Sequence, residues 1–289
     1  MKKLWDNLHF KDRIKPIDKT VYLSVVAIMK NEGAYLKEWL EYHKLVGVER
    51  FYLYDNESDD NTCEILKPYI QDGTVVYKFV KGNAKQNFAY ADAVYHFKNE
   101  TRWLAIIDID EYILPIQKAT VAEVLRDYEK YPALAVNWIM YDSNGHLEKP
   151  KGLTIENYTR VRKTPSNLDC HVKSIVNPRK VIDIINPHFC YYKNFACAVC
   201  EDKKTYYNIF SKFADRVFTK THHSNKICIN HYHCRSKAEY EQKIKTNTAD
   251  NNIKRIYNKD LLEFKDYKHE TLIIDKYLEP LKKAMEENS

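Results

Sequence analysis

Glycine is scarce in this chain, which has only six glycines in 289 residues. Repeat architectures and long flexible linkers usually need many more, so the sequence predicts a single domain that buries a full core. Long apolar runs are also missing, since no stretch reaches the roughly 18 residues that a membrane span requires. No secretory leader is recognisable either. We therefore expect a cytoplasmic protein that does not cross a membrane.

The seven cysteines are odd in number and scattered, which argues against a disulfide framework and for reduced thiols. Cys197 and Cys200 form one Cys-x-x-Cys pair, which raises the alternative of a tetrahedral zinc site. Such a site would need ligands from the segment that contains Cys228, His231, His233 and Cys234. Because a second clean pair is missing, ordinary buried cysteines are the favoured interpretation.

Positive charge is concentrated in one segment of a chain whose formal net charge is +6. Between Lys149 and Lys180 there are eight basic residues against Glu156 and Asp169. Such a segment can be a solvated face, or it can bind a diphosphate, an acidic glycan or an anionic membrane surface that carries a lipid-linked acceptor. No recognisable nucleic-acid-binding motif accompanies the charge, so nucleic acid is not an expected partner.

Apolar runs alternate with segments of helical periodicity in the first third of the chain. The predicted strands are Val21–Met29, Val48–Tyr54 and Val75–Val80, with helices from Tyr35 and from Thr62 between them. Alternation of this kind predicts an α/β protein with a parallel sheet and right-handed crossovers. Ligands of such sheets bind beyond the carboxyl ends of the strands.

The apolar run from Trp103 to Ile107 predicts a further buried strand. Three polar clusters follow predicted strands, at Lys30–Glu32, Asp55–Asp60 and Asp108–Glu111. If Asp108 and Asp110 continue a strand, their side chains share a face about 6.6 Å apart. Two charges at that separation repel by about 2–3 kcal/mol, which a divalent cation such as Mg²⁺ or Mn²⁺ would reverse. A solvated loop after the strand is the simpler alternative. The spacing therefore indicates a metal site only if its context agrees.

Several ordered strings resemble glycosyltransferase family 92 and its family 2-like bacterial relatives. They are Met29-Lys30-Asn31-Glu32, the run from Tyr35 to His43, Gly47-Val48, the run from Tyr54 to Asp60, and Asp108-Ile109-Asp110-Glu111-Tyr112. Further similarity runs through Lys85-Gln86, Asn137-Trp138, the run from Lys173 to Pro178, and Asn230-His231-Tyr232. The resemblance covers roughly residues 20 to 245.

The resemblance implies a GT-A fold, with a mixed, mostly parallel sheet flanked by helices. It implies inverting transfer of a sugar from a nucleotide-diphosphate donor to a hydroxyl of a surface glycan or lipid-linked acceptor, with Mn²⁺ or Mg²⁺. A UDP-sugar donor is favoured, and UDP-galactose among these. The implied metal ligands are Asp108, Asp110 and His231, with His233 as a rival. The implied nucleotide-sugar contacts are Asn31, Glu32, Asp55, Asn56, Lys85, Gln86, Asp108, Lys173, Arg235 and Ser236.

An inverting transfer also needs a base to take the acceptor proton, and the sequence leaves three candidates. Asp142 stands where the family usually has a glycine before a serine. Asp202, in Glu201-Asp202, is similar to the acidic pair that carries the base in family 2 enzymes. His146 lies close to Asp142 in the chain. His188 could line the site, although a packing role is favoured for it.

The resulting division of the chain is a GT-A catalytic domain over residues 1–235, with residues 1–20 as an N-terminal extension, and a C-terminal helical extension over residues 236–289. These helices are expected to pack on the domain or on a partner subunit, and a homo-oligomer is left open. Peripheral contact with the inner face of the cytoplasmic membrane is also left open. The alternative function is a non-catalytic nucleotide-binding or zinc-stabilised interaction module. A phosphotransferase is disfavoured, because its Asp-x-Asp would follow the first strand of its domain.

Overall fold

The computed structural model describes residues 21–208, 210–212 and 216–287, so the predicted N-terminal extension lies outside the described residues. The strands are β1 (Val21–Met29), β2 (Arg50–Asp55), β3 (Val75–Phe79), β4 (Thr101–Ile106), β5 (Glu111–Pro115), β6 (Ala133–Met140), β7 (Arg160–Arg162), β8 (Val172–Val176), β9 (Val181–Asn186), β10 (Phe189–Tyr192), β11 (Ile227–His231) and β12 (Tyr267–His269). The helices are α1 (Gly33–Leu45), α2 (Thr62–Gln71), α3 (Gln86–Phe97), α4 (Val121–Leu125), α5 (Thr154–Asn157), α6 (Lys237–Ile244), α7 (Lys259–Leu262) and α8 (Leu272–Glu287).

Eight of these strands form one mixed sheet in the order β3-β2-β1-β4-β8-β6-β11-β5. Neighbours from β3 to β4 are parallel, as are β6 and β11. Strand β8 is antiparallel to both β4 and β6, and β5 is antiparallel to β11. The predicted α/β class, with a mixed and mostly parallel sheet flanked by helices, is therefore confirmed.

Strand β1 is buried on both faces, which explains why its sequence is continuously apolar. Val25 and Ala27 belong to the core beneath α1, whereas Val26 and Ile28 belong to the core beneath α3. The strand thus lies between two apolar layers, and its carboxyl end opens at the edge where the polar loops begin. This placement fixes where the loops after β1, β2 and β4 can meet.

The prediction that Asp108 and Asp110 continue a strand is wrong. Strand β4 ends at Ile106, and the chain turns before β5 begins at Glu111. The turn is closed twice, because the Glu111 backbone N–H donates to the Asp108 carbonyl (3.1 Å) and the Asp108 N–H donates to Glu111 Oε2 (2.9 Å). The two aspartates therefore do not alternate along a pleat, and their carboxylates reach different partners.

Residues 237–287 contain the predicted C-terminal helices and one further strand, since β12 pairs with β7. Helix α8 packs against α1, where the rings of Tyr42 and Tyr277 meet edge to face at 5.5 Å. Lys37 on α1 also donates to the Met285 carbonyl (3.0 Å). None of the helices among the described residues has the length and apolarity of a membrane span. The domain boundary at residue 235 stays a prediction.

Three side chains of α1 hold β5, the strand that starts directly after the acidic turn. Trp39 Nε1 donates to the Glu111 carbonyl (2.9 Å), and the Tyr42 hydroxyl donates to the Ile113 carbonyl (2.9 Å). His43 is fully buried; its Nδ1–H donates to the Trp39 carbonyl (2.8 Å), which leaves Nε2 to accept the Ile113 N–H (3.3 Å). Burial lowers the pKa of His43 to about 3, so this imidazole is neutral and works as a structural acceptor.

This geometry predicts acid destabilisation through His43. His43 has an ordinary pKa of 6.5 and a pKa of about 3 in the folded protein. In the pH range between these two values, the unfolded chain binds a proton at His43 that the native protein does not bind. Stability is therefore full above pH 6.5 and falls as the pH drops through this window, by up to about 1.4 kcal/mol per pH unit from this residue. Urea unfolding across the window should give a shallower fall for His43→Gln, whose amide does not titrate. Equal pH slopes for the two proteins would contradict the assignment.

Candidate functional site

Asp108 is an ordered carboxylate at the end of β4 whose side chain is 31% exposed. Its Oδ1 accepts hydrogen bonds from Gln86 Nε2 (2.8 Å) and the Tyr90 hydroxyl (2.8 Å), both on α3. Its Oδ2 pairs with Lys173 Nζ at 2.9 Å. Burial acts to raise the pKa of Asp108, but the charge of Lys173 outweighs it and lowers that pKa. Contacts from α3 and β8 thus keep the Asp108 carboxylate ionised and fix its orientation.

Lys173 is a buried cation on β8, with a side chain only 1% exposed. Besides Asp108 it lies 3.6 Å from Glu111 Oε2, and the Glu111 side chain is fully buried. Burial raises the pKa of Glu111 well above its usual range, and its Oε1 has no hydrogen-bond partner among the described residues. One ammonium therefore balances two carboxyl groups in a poorly hydrated place.

Removal of the Lys173 charge should be costly. Lys173→Met leaves Glu111 and Asp108 without their cation, and breaking a buried ion pair typically costs about 3–5 kcal/mol. Urea unfolding of the single and double variants measures this loss. Addition of Asp108→Asn should recover part of it, because Asp108 is the carboxyl group that Lys173 keeps ionised and the amide carries no charge. Strictly additive losses in the Lys173→Met/Asp108→Asn double variant would mean that the two groups do not interact.

The second carboxylate of the turn, Asp110, belongs to a cluster with two imidazoles. One ligand atom each from Asp110, His231 and His233 lies within 4.8 Å of the others. Strand β11 delivers His231, whose Nε2 is 3.5 Å from Asp110 Oδ1 and whose Nδ1 is buried without a partner among the described residues. One carboxylate oxygen and two imidazole nitrogens suit a cation such as Mn²⁺, so these residues fit the metal that the resemblance implies.

The ammonium of Lys243, from α6, lies at this same cluster. Its Nζ is 2.6 Å from Asp110 Oδ2, 3.2 Å from His233 Nδ1 and 3.0 Å from the His233 carbonyl. Burial acts to raise the pKa of Asp110, but Lys243 and then His231 outweigh it and hold that pKa well below its usual range. Asp108 is outside this cluster, whereas His233, the rival ligand in the sequence, is part of it.

Arg235 connects the cluster to the loop after β1. It has a positive φ of 51°, and its Nη1 pairs with Glu32 Oε2 at 2.9 Å. Its guanidinium lies 3.5 Å from the centroid of the Tyr35 ring. The structure thus brings together Glu32 and Arg235, two predicted contacts. Ser236 instead caps α6: its buried hydroxyl accepts the Glu239 N–H (3.4 Å), which is a structural role.

The loops after β1 and β2 meet, as the polar clusters predicted. Asn31 Oδ1 accepts the Asp59 N–H (2.8 Å), and the Asn31 N–H donates to Ser58 Oγ (2.9 Å). Asp55 is buried, with its two oxygens accepting from the Ser58 N–H (2.9 Å) and the Tyr77 hydroxyl (2.8 Å). The carboxylate of Asp55 therefore shapes the loop.

Three further predicted nucleotide contacts lie at the start of α3 or contact the loop before it. The amide of Asn56 donates to the carbonyls of Val80 (3.1 Å) and Gly82 (2.9 Å). Lys85 precedes α3, and its ammonium lies 5.8 Å from the Phe88 ring. Gln86 is the first residue of α3 and contacts Asp108 directly. Of these three, only Gln86 is hydrogen-bonded to an acid of the turn.

The predicted bases are engaged elsewhere. The two oxygens of Asp142 accept the N–H groups of Asn144 (2.8 Å) and Phe264 (2.8 Å). Asp202 lies on an exposed turn. His146 Nε2 is hydrogen-bonded to a backbone carbonyl, that of Asn157 (3.2 Å). None of the three hydrogen bonds to the acidic turn among the described residues.

The zinc alternative finds no support in the described part of the chain. Cys197 and Cys200 are free thiols there. The candidate metal-ligand group found among these residues is Asp110, His231 and His233, which contains no cysteine.

Sequence reasoning missed an aromatic group beside the site. The ring of Trp138 stacks on His171 at 4.8 Å and also contacts His188 (5.2 Å) and His231 (4.4 Å). The indole N–H of Trp138 is buried without a partner among the described residues. A signal existed, because His171 and Lys173 are two residues apart and β-strand periodicity places them on one face.

The tautomers of both flanking imidazoles are set by backbone carbonyls. His171 Nδ1 donates to the Leu168 carbonyl (3.0 Å), and His188 Nδ1 donates to the Val172 carbonyl (2.9 Å). Each Nε2 then carries a lone pair and has no protein partner in the described ranges. Burial, followed by the charge of Lys173, lowers the pKa of His188 to about 3. His188 is therefore a neutral acceptor next to the cationic side of the site.

Fold and site together define an α/β protein whose acids, imidazoles and buried cations gather at the carboxyl ends of its strands. Residues 20–272 match the sequence profile of Glycosyltransferase family 92. The chain belongs to glycosyltransferase family 92, as the resemblance in the sequence predicted.

The curated relatives are plant proteins. Glycosyltransferase family 92 protein Os08g0121900 of Oryza sativa subsp. japonica is 30% identical over 57% of this chain and 28% of its own length. The galactan beta-1,4-galactosyltransferase GALS3 of Arabidopsis thaliana is 25% identical over 45% of this chain and 29% of its own length. The chain thus spans less than a third of each of these relatives.

Among solved structures, S. aureus TarS 1-349 in complex with UDP matches at a TM-score of 0.36 and 16% identity. The match covers 54% of this chain and 47% of that one. A likeness of this size carries no weight for the fold or the function.

Proposed function

We propose that this chain is a metal-dependent, inverting glycosyltransferase that uses a UDP-sugar. The observation that carries the proposal is the Asp110–His231–His233 cluster, whose aspartate lies on the same turn as the lysine-paired carboxylate of Asp108. Family membership supports sugar transfer, and the names of the Arabidopsis galactan galactosyltransferases favour galactose as the donor sugar. The acceptor is a hydroxyl of a glycan or of a lipid-linked sugar.

Each group at the acidic turn has a role in this proposal. Asp110, His231 and His233 would hold Mn²⁺ or Mg²⁺. When bound, the cation offsets the negative charge that develops on the leaving diphosphate. Arg235, whose pKa is raised by Glu32 and Asp110 against the effect of burial, remains a fixed positive charge for phosphate oxygens. Asp108, held by Lys173 and Gln86, presents a carboxylate to donor hydroxyls.

His188 is the base that we infer from its geometry: its imidazole is already neutral and its Nε2 has no partner in the described chain, although its lowered pKa makes it a weaker base than an ordinary histidine. An acceptor hydroxyl must give its proton to a lone pair within hydrogen-bond reach, and His188 Nε2 carries one without a competing protein partner. Its side chain interacts electrostatically with both Lys173 and Asp108, the groups that this proposal assigns to the donor. By contrast, Asp142 could act as the base only if its carboxylate gave up its hydrogen bonds with two backbone N–H groups.

Calorimetric titration with UDP, with and without Mn²⁺, tests the nucleotide site. Binding should depend on Mn²⁺ and should weaken at least about tenfold, or about 1.4 kcal/mol, in Asp110→Ala. Asp127→Ala, an exposed acid of the connection between β5 and β6, should bind like the wild type and serves as the matched control. A folded wild-type protein that binds no nucleotide would contradict the proposal and favour the interaction module. UDP release from a panel of UDP-sugars with glycan acceptors separates a transferase from a module that only binds.

The base assignment predicts a loss in the chemical step alone. His188→Ala should lower kcat by about 10²–10⁴-fold, the usual contribution of general base catalysis, and leave UDP affinity near that of the wild type. Steady-state kinetics with calorimetry measures both quantities. The same measurements on His146→Ala and Asp142→Asn test the bases expected from the sequence. A large kcat loss in one of these with none in His188→Ala would reassign the base.

A further inference from the structure

The ammonium of Lys243 lies among the candidate metal ligands. Its Nζ contacts Asp110 Oδ2 at 2.6 Å and His233 Nδ1 at 3.2 Å, which are two of the three residues of the ligand cluster. The lysine side chain is 28% exposed, so a path to water is open to it. Two cations cannot share these atoms, because like charges a few ångströms apart repel each other strongly.

The residues that follow Lys243 lie over a second part of the site. The Ala249 carbonyl accepts the backbone N–H of Gln86 (3.1 Å), the first residue of α3, whose side chain also holds Asp108. The segment folds back on itself there. The Thr248 N–H donates to the Ile253 carbonyl (2.9 Å), and the Ile253 N–H donates to the Thr248 hydroxyl (3.1 Å). We call residues 243–253 the strap. It contacts Asp110 at one point and α3 at the other.

We propose that Lys243 is an internal cation that competes with the divalent metal, and that its displacement releases the strap from the donor site. This inference rests on the proposed function, because it needs a metal at Asp110. The metal can bind only to molecules in which the Lys243 ammonium has left Asp110. The measured affinity for the metal is therefore lower than the intrinsic affinity, in proportion to the fraction of molecules in that state. Once Lys243 leaves, only the Ala249–Gln86 hydrogen bond among these contacts still ties the strap to the site.

The competition is measurable on the whole chain without any assay of activity. Mn²⁺ binding is followed by the loss of the free-ion electron paramagnetic resonance signal, for wild type, Lys243→Met and Lys237→Met. Lys237 is the matched control, since it lies on the same helix and its exposed ammonium pairs with Glu241. We expect Lys243→Met to bind Mn²⁺ at least about tenfold more tightly than wild type, and Lys237→Met to equal wild type.

Hydrogen exchange of residues 243–253 gives an independent measure of the strap. Exchange in wild type should rise when Mn²⁺ is added, and in Lys243→Met it should be high from the start. Lys243→Gln replaces Lys243→Met if thermal unfolding shows that the methionine variant is not folded. Equal or weaker Mn²⁺ binding by the variant, beside measurable binding by wild type, overturns the inference and leaves the proposed function intact. No Mn²⁺ binding by any of the proteins overturns both.

Discussion

The structure depends on one electrostatic constraint, which is that acids gathered at a buried sheet edge must be matched by cations of the same chain. Asp108 and Glu111 share Lys173, Asp110 is paired with Lys243, and Glu32 is paired with Arg235. Each pair joins elements that are distant in sequence. The charge balance therefore contributes long-range tertiary contacts, and it holds β8 and α6 against a turn of four residues.

The two lysine pairs differ in whether the lysine side chain can leave its partner. The Lys173 side chain is buried on a central strand and has no path to solvent, so its charge is a permanent part of the fold. Lys243 reaches its partner from a helix outside the sheet and remains partly exposed. A site built in this way has one fixed cation and one that can be exchanged. The fixed cation keeps Asp108 ionised whatever occupies the neighbouring cluster.

Local sequence patterns were sufficient for the parallel half of the sheet, from β3 to β4, and insufficient for the antiparallel strands and for the site. Strand β1 and helix α1 follow from a continuous apolar run and from helical periodicity, because both signals are set by neighbouring residues. The acidic turn was predicted to be strand. The hydrogen bonds between Asp108 and Glu111 that close the turn depend on the position of β5, which local sequence does not give. The cysteine pair suggested zinc, but no third ligand meets it in the described chain. Lys243 could not be recognised, because its partner Asp110 lies 133 residues away in the chain. His188 was named as a residue that could line the site, but its orientation depends on the Val172 carbonyl, whose position local sequence does not give.

The backbone ladder between β5 and β11 pairs Glu111 directly with His231. The spacing between the acidic turn and the imidazoles is therefore set by main-chain hydrogen bonds, which do not depend on the identity of the side chains around them. Helix α1 then anchors β5 from outside through Trp39 and Tyr42. As a result, the site geometry is insulated from the composition of the core: apolar neighbours can vary without moving the acid relative to the imidazole, whereas one inserted residue in either strand would shift the register and separate them.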